Sequence, residues 1–205
     1  MSIICRWRPW KNSIRIVLGG IVLVLLATAT FAADSSKKDE FDIDGKSFQC
    51  ITKMTKVRQF YVSNLLGNLR QTLAVANSAT GGAYPPGSLI QLVPTEAMVK
   101  RDKGFNAATH DWEFFDLGIS KDGTKIRTRG FQNVVNSFGG NCFGCHALAR
   151  PQWDMICESN HGCAPLQITP AMIGAGQRGD PRCRSGATSP QDAEQLRLLA
   201  VLHRK

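Results

Sequence analysis

The sequence has no block of like charge. Its 25 Lys+Arg and 16 Asp+Glu are interspersed, the pattern of a solvated mixed surface, which leaves no polybasic face for nucleic acid. Acidic residues are the scarcer sign and the formal net charge is +9, yet Arg6, Arg8, Lys11 and Arg15 stand in a leader without acidic residues, and the chain beyond it has an excess of only +5. A long apolar run is missing as well. Ile16 to Phe31 covers roughly 16 residues, Gly19 and Gly20 among them, short of the roughly 20 that a bilayer core requires. Basic residues, a short apolar run and the small residues around Thr30-Phe31-Ala32 read as a signal peptide over 1–32, with cleavage after Ala32. An uncleaved anchor is the rival reading, and a membrane enters only in that case.

Apolar side chains are absent from Asp34 to Glu40, so residues 33–47 read as a polar tether. The remainder, 48–205, has the length of a single domain with a sizeable core.

What the chain does have is Cys142-Phe143-Gly144-Cys145-His146. A redox dithiol of the thioredoxin kind needs alternating strand and helix patterns around the Cys-x-x-Cys pair, and they are missing here. A zinc site needs a second closely spaced pair, and Cys157, His161 and Cys163 are too widely spaced for a zinc knuckle. The five residues read instead as a covalent haem attachment site. Two thiols one helical turn apart each add to a haem vinyl group, and the histidine that follows becomes the proximal iron ligand. The expected cofactor is one covalent haem c, with His146 on the metal.

From Phe48 the apolar residues Ile51, Met54, Val57, Tyr61, Leu65, Leu69 and Leu73 recur at three- and four-residue steps, which predicts an amphipathic N-terminal helix of core-packing character. Gly81-Gly82 and Pro85-Pro86-Gly87 predict turns before a strand over Ser88–Val93. Trp112–Ile119 predicts a second strand, and Lys121-Asp122-Gly123-Thr124 a hairpin turn into Lys125–Arg129. Gly139 and Gly140 allow close backbone approach ahead of the motif. After His146 little regular pattern is visible. The expected fold is α+β: an antiparallel sheet with an N-terminal helix, a haem-attachment helix towards the C-terminus, and a loop-rich, disulfide-stapled tail.

Cys5 lies in the leader, so Cys50, Cys157, Cys163 and Cys183 remain outside the motif. An even number in an exported chain predicts two disulfides with three possible pairings. Cys157 with Cys163 is favoured because a short loop needs little closure entropy, and Cys50 with Cys183 by elimination.

Thr95 to Lys100, the Phe105–Trp112 interval followed by Glu113-Phe114-Phe115, and the terminal Cys-x-x-Cys-His resemble the cytochrome P-460 family and its sister group, the beta-sheet cytochromes c prime, over Pro85 to His146. The resemblance implies an antiparallel sheet packed with helices, one c-type haem and a distal side open to small ligands. One group oxidises hydroxylamine through a haem cross-linked to lysine, and the other binds nitric oxide in an apolar pocket. This chain departs from the enzyme pattern, with Gln91 and Leu92 where the cross-linking lysine is expected; Lys100 substitutes only if the strand register differs.

The apolar distal wall is expected from Leu89, Leu92, Phe114 and Phe115. Glu96 and Glu113 are the candidate catalytic carboxylates, with surface carboxylates as the plain alternative. Met54, Met98, Met155 or Met172 as a sixth ligand would favour electron transfer, against an ordinary core-filling role. His110 and His161 are further ligand candidates, and Arg127, Arg129 and Arg150 could face propionates. The expected protein is a periplasmic monohaem cytochrome with a small-molecule ligand, nitric oxide or hydroxylamine, with or without redox turnover, and a periplasmic redox partner. Whether it is an enzyme of the hydroxylamine-oxidising kind stays open, and the alternative is a six-coordinate electron carrier.

Overall fold

Sheet and helices follow from where the chain can turn. The computed structural model describes residues 41–137, 139–183 and 188–202, so the signal peptide expected over 1–32 lies outside the described residues. Six strands, β1 (Thr55–Val57), β2 (Phe60–Asn64), β3 (Ser88–Gln91), β4 (Glu96–Lys100), β5 (Trp112–Ser120) and β6 (Gly123–Gly130), pair antiparallel in chain order. Four α-helices accompany them: α1 (Leu69–Ala76), α2 (Cys142–His146), α3 (Pro170–Arg178) and α4 (Pro190–Leu202). The chain is therefore α+β. No helix among the described residues is long and apolar enough to cross a membrane.

The long helix expected from Phe48 to Leu73 is not formed. Arg58, at φ +51°, turns a tight hairpin that brings Val57 opposite Phe60, and Gly67, at φ +85°, ends the excursion before α1 begins. The spaced apolar residues serve two layers instead of one helical stripe. Phe48, Met54 and Leu65 pack on one side of the sheet, while Val57, Phe60, Leu69 and Leu73 pack on the other. β-branched Thr55, Val57 and Val62 suit the pleated surface that they occupy.

The register assigns the faces. Val62, Ile90, Met98, Phe114 and Gly130 stand opposite one another across five strands, and the side chains of the first four share a core with Cys142, Met155 and Ile156. Because side chains alternate along a strand, Leu89, Ala97, Val99, Phe115 and Leu117 go to the other face, covered by Ile43 and Phe48. Ile43 is 2% exposed, and its carbonyl accepts a hydrogen bond from Arg129 Nη1 at 3.0 Å. Packing thus starts inside the stretch expected to be a tether, and the described residues belong to one compact unit. The hairpin at Lys121-Asp122 closes with Ser120 opposite Gly123, which has φ +129°.

The tail contains two helices that the sequence pattern did not reveal. Thr169 Oγ1 accepts from the Met172 amide and Pro170 occupies the first turn of α3, a start signal that was readable. Gln177 on α3 donates to the Gln59 and Leu92 carbonyls at 2.6 and 2.8 Å. Both expected disulfides, Cys50–Cys183 and Cys157–Cys163, are present. Around the first, Asp180 accepts from the Ile51 amide at 2.9 Å and pairs with the buried Arg182 guanidinium.

Candidate functional site

Helix α2 is one short turn, held at its start by Asn141. Its Oδ1 accepts from the Gly144 amide at 2.7 Å, and its Nδ2 donates to the Gln132 carbonyl at 2.7 Å. The Cys142 amide donates to the Val134 carbonyl at 3.0 Å, so the strand-like leg 132–135 fixes where the turn begins. Gly139, at φ +82°, takes the bend between the two legs. Inside the turn, Cys142 is buried against the sheet while Cys145 is half-buried, and these are the free thiols of the described chain.

Burial pushes the Cys142 thiol up to about 12, with the Glu96 and Asp116 carboxylates and Cys145 adding to it. A redox dithiol works through a lowered thiol pKa, so this environment disfavours thioredoxin-like exchange. The zinc alternative fails on its partners, because Cys157 and Cys163 are joined to each other. Cys50, Asp180 and Cys183 lie close together, but both of those sulfurs are consumed by a disulfide.

His146 ends the turn with its ring beside Phe114, the centroids 5.2 Å apart. Its Nδ1 lies 2.6 Å from the Met155 carbonyl oxygen. A carbonyl only accepts, so the ring proton is on Nδ1 and the lone pair is on Nε2. Burial pushes the imidazole below its ordinary value, while the bond to Met155 opposes that. A neutral ring with a free Nε2 lone pair is the form in which histidine binds a metal. The donor set therefore fits a c-type haem: two free thiols on one turn, and one oriented, neutral imidazole.

Of the expected wall, Phe114 reaches His146, and Leu92 borders the same core. Leu89 and Phe115 face the opposite side of the sheet, so they do not meet the other two. Half-exposed Phe131 and Phe143 pack edge to face, 5.9 Å apart, at the border of the core that holds Cys142. Phe143 lies inside the motif itself, whereas no spacing signal in the sequence singles out Phe131.

Glu96 is on the Cys142 side of the sheet. Burial raises its carboxyl above the ordinary range, opposed by a hydrogen bond from the Ser137 amide, with Asp116 adding to the rise. Glu113 is instead clamped by Arg129 at 2.7 and 3.0 Å, on the far face. Lys100 Nζ sits 2.8 Å from both carboxylate oxygens of Asp154. Gln91 is buried and donates to the Glu96 carbonyl at 3.1 Å.

Among the methionines, Met98 fills the row between Ile90 and Phe114, and Met155 is buried on the same side. Met54 packs on the opposite face and Met172 on the α3–α4 cluster. His110 lies 3.5 Å from Asp154. His161 stacks on Trp153 at 3.8 Å and bonds the Ile156 carbonyl through Nδ1. Arg127 pairs with Asp116, Arg129 with Glu113, and Arg150 with the Asn160 carbonyl. No family model, no curated protein and no solved structure matches the chain.

Proposed function

We propose that this chain is an exported monohaem c-type cytochrome that binds a small nitrogenous ligand, with nitric oxide preferred over hydroxylamine. One observation carries the reading. In a chain whose other described cysteines are paired in disulfides, Cys142 and Cys145 stay free on one turn, beside a histidine whose Nδ1–H is already committed to a carbonyl. Attachment is redox-neutral: each S–H adds across a vinyl double bond, forming one C–S and one C–H bond. Two disulfides fit an oxidising compartment such as the periplasm.

When bound, the iron supplies the open coordination position at which a gas is held. The protein's own part is to fix the imidazole and to cover the macrocycle, and the half-exposed Leu92, Phe131 and Phe143 are the apolar surface available for that cover. Nitric oxide needs no hydrogen-bond partner from such a surface. Hydroxylamine turnover through a lysine cross-link has less support, because Lys100 is held by Asp154 and Gln91 is held by backbone carbonyls. Glu96 is the carboxyl left to serve as a base in that chemistry. The electron-carrier reading needs a strong sixth ligand, and Met98 is instead packed within the sheet row.

The test is protein matured in an oxidising compartment. Its mass should include one haem, lost in a Cys142→Ala, Cys145→Ala double variant, and carbon monoxide or nitric oxide should change the ferrous spectrum strongly. Zinc without haem would refute the reading. A ferrous spectrum indifferent to carbon monoxide, with a methionine-type band in the oxidised protein, would replace gas binding by electron carriage.

A further inference from the structure

Eight and nine residues beyond the motif, the chain makes an unusual turn. Asp154 and Met155, neither of them glycine, both take the left-handed region, at φ +47° and +66°. Two consecutive residues of this kind persist only where the surroundings hold them. This turn aims the Met155 carbonyl at His146 Nδ1, 2.6 Å away.

What holds it is Asp154. Both of its carboxylate oxygens lie 2.8 Å from Lys100 Nζ, with side-chain exposures of 9% and 7% for the lysine and the aspartate. Oδ2 also accepts from the Tyr84 amide at 2.8 Å, and the Asp154 carbonyl accepts from Trp112 Nε1 at 2.9 Å. Half-exposed His110 approaches Oδ1 at 3.5 Å. The partners come from β4, from β5 and from the loop before β3, so the turn is bolted to the sheet. Its other flank is tied too: the Gly82 amide donates to the Gln152 carbonyl at 2.8 Å. A Cβ at Gly81 would sit 2.0 Å from that carbonyl oxygen, so the two loops touch backbone to backbone.

We propose that the buried Lys100–Asp154 pair is a positioning device for His146, locking the strained turn so that the Met155 carbonyl holds the ring's Nδ1–H. Its consequence for iron rests on the haem reading above. A carbonyl fixed on Nδ1–H sets the ring orientation and strengthens the imidazole as a donor at Nε2. The pair thus acts on the ligand through the backbone, without touching it. A merely structural ion pair would affect stability and leave the ring's hydrogen bond alone.

The test compares wild type, Asp154→Asn and a distant control, Asp192→Asn, whose carboxylate pairs with Arg178. An asparagine amide keeps the shape but opposes its N–H group to the lysine. In haem-loaded protein, Asp154→Asn should keep one haem per chain. It should move the His146 Nδ1–H proton resonance of the ferrous carbon monoxide form upfield, and lower the iron–histidine stretching frequency of the unliganded ferrous form. Asp192→Asn should move neither. If Asp154→Asn does not fold, Lys100→Gln removes the cation and shortens the reach to Asp154 while leaving Asp154 its bond from the Tyr84 amide, and the same shifts are expected. A folded variant of either kind with both signals unmoved overturns the proposal. Wild-type protein that carries no haem overturns the haem reading instead, and the Nδ1–H resonance of the haem-free proteins then decides the positioning role by the same upfield shift.

Discussion

Phe114 and Phe115 are adjacent, both aromatic and both buried, at 2% and 0% exposure, and they point to opposite faces of β5. Phe114 lies between Met98 and Gly130 in the cross-strand row and beside His146. Phe115 packs on Phe48 with ring centroids 5.0 Å apart. Truncation to alanine at either position removes a filled volume that the sheet cannot close, a loss of about 3–5 kcal/mol each. Urea unfolding should therefore shift both midpoints by similar amounts without a change in slope. The His146 ring signals, and the haem spectrum if haem is bound, should respond only to Phe114→Ala. Should either alanine variant fail to fold, leucine at the same position is the milder substitution, expected to cost roughly 1–1.5 kcal/mol. A Phe115 variant that perturbed His146 as strongly as the Phe114 variant would refute the face assignment on which the site rests.

The two disulfides should contribute unequally. Cys50–Cys183 closes a separation of 133 residues and Cys157–Cys163 one of 6, so chain-entropy reasoning assigns them about 5 and about 2 kcal/mol; paired serine variants compared by urea unfolding check the order, and an equal or reversed loss contradicts it. The pH dependence should locate Glu96. Burial raises its folded-state pKa, so stability from its protonated form is present below the unfolded carboxyl pKa and is lost as pH rises through the folded value. Glu96→Gln should accordingly gain stability over wild type at neutral pH and lose that advantage in acid, and a pH-independent difference would contradict the assignment.

The middle of the chain was legible because its signals are local. Alternation over Trp112–Ile119 and the Asp-Gly of the next turn are properties of neighbouring residues, and β5 and β6 form where they indicate. The region from Phe48 to Leu73 misleads for the opposite reason. Three-residue spacing also arises when a hairpin and two bends distribute apolar side chains over both sides of a sheet. Thr55, Val57, Phe60, Tyr61 and Val62, with their preference for strands, argued against a helix there. The tail was unread because α3 and α4 start on Thr169-Pro170 and Ser189-Pro190, and short helices with weak apolar stripes leave little besides their caps to find.

The candidate site divides along the same line. Its thiols and His146 are contiguous, so the motif could be read at once, but the groups that set their chemistry are not. The carbonyl that fixes the His146 tautomer belongs to Met155, the lysine that holds that turn comes from β4, and the carboxyls that raise the Cys142 thiol come from β4 and β5. Glu96 and Glu113 look equivalent in sequence. They separate only when the register turns Glu96 towards Cys142 and Glu113 towards Arg129. A five-residue motif can thus name the candidate thiols and imidazole, while the sheet decides their surroundings and orientation. The same inference extends to Lys100. Its neighbour in chain order, Arg101, contacts Glu113 at 3.6 Å on the far face, whereas Lys100 reaches Asp154 beneath the site. A one-residue slip of β4 would exchange these two cations and leave the turn before Met155 without its anchor, so the register of this strand bears on His146 as directly as the motif does.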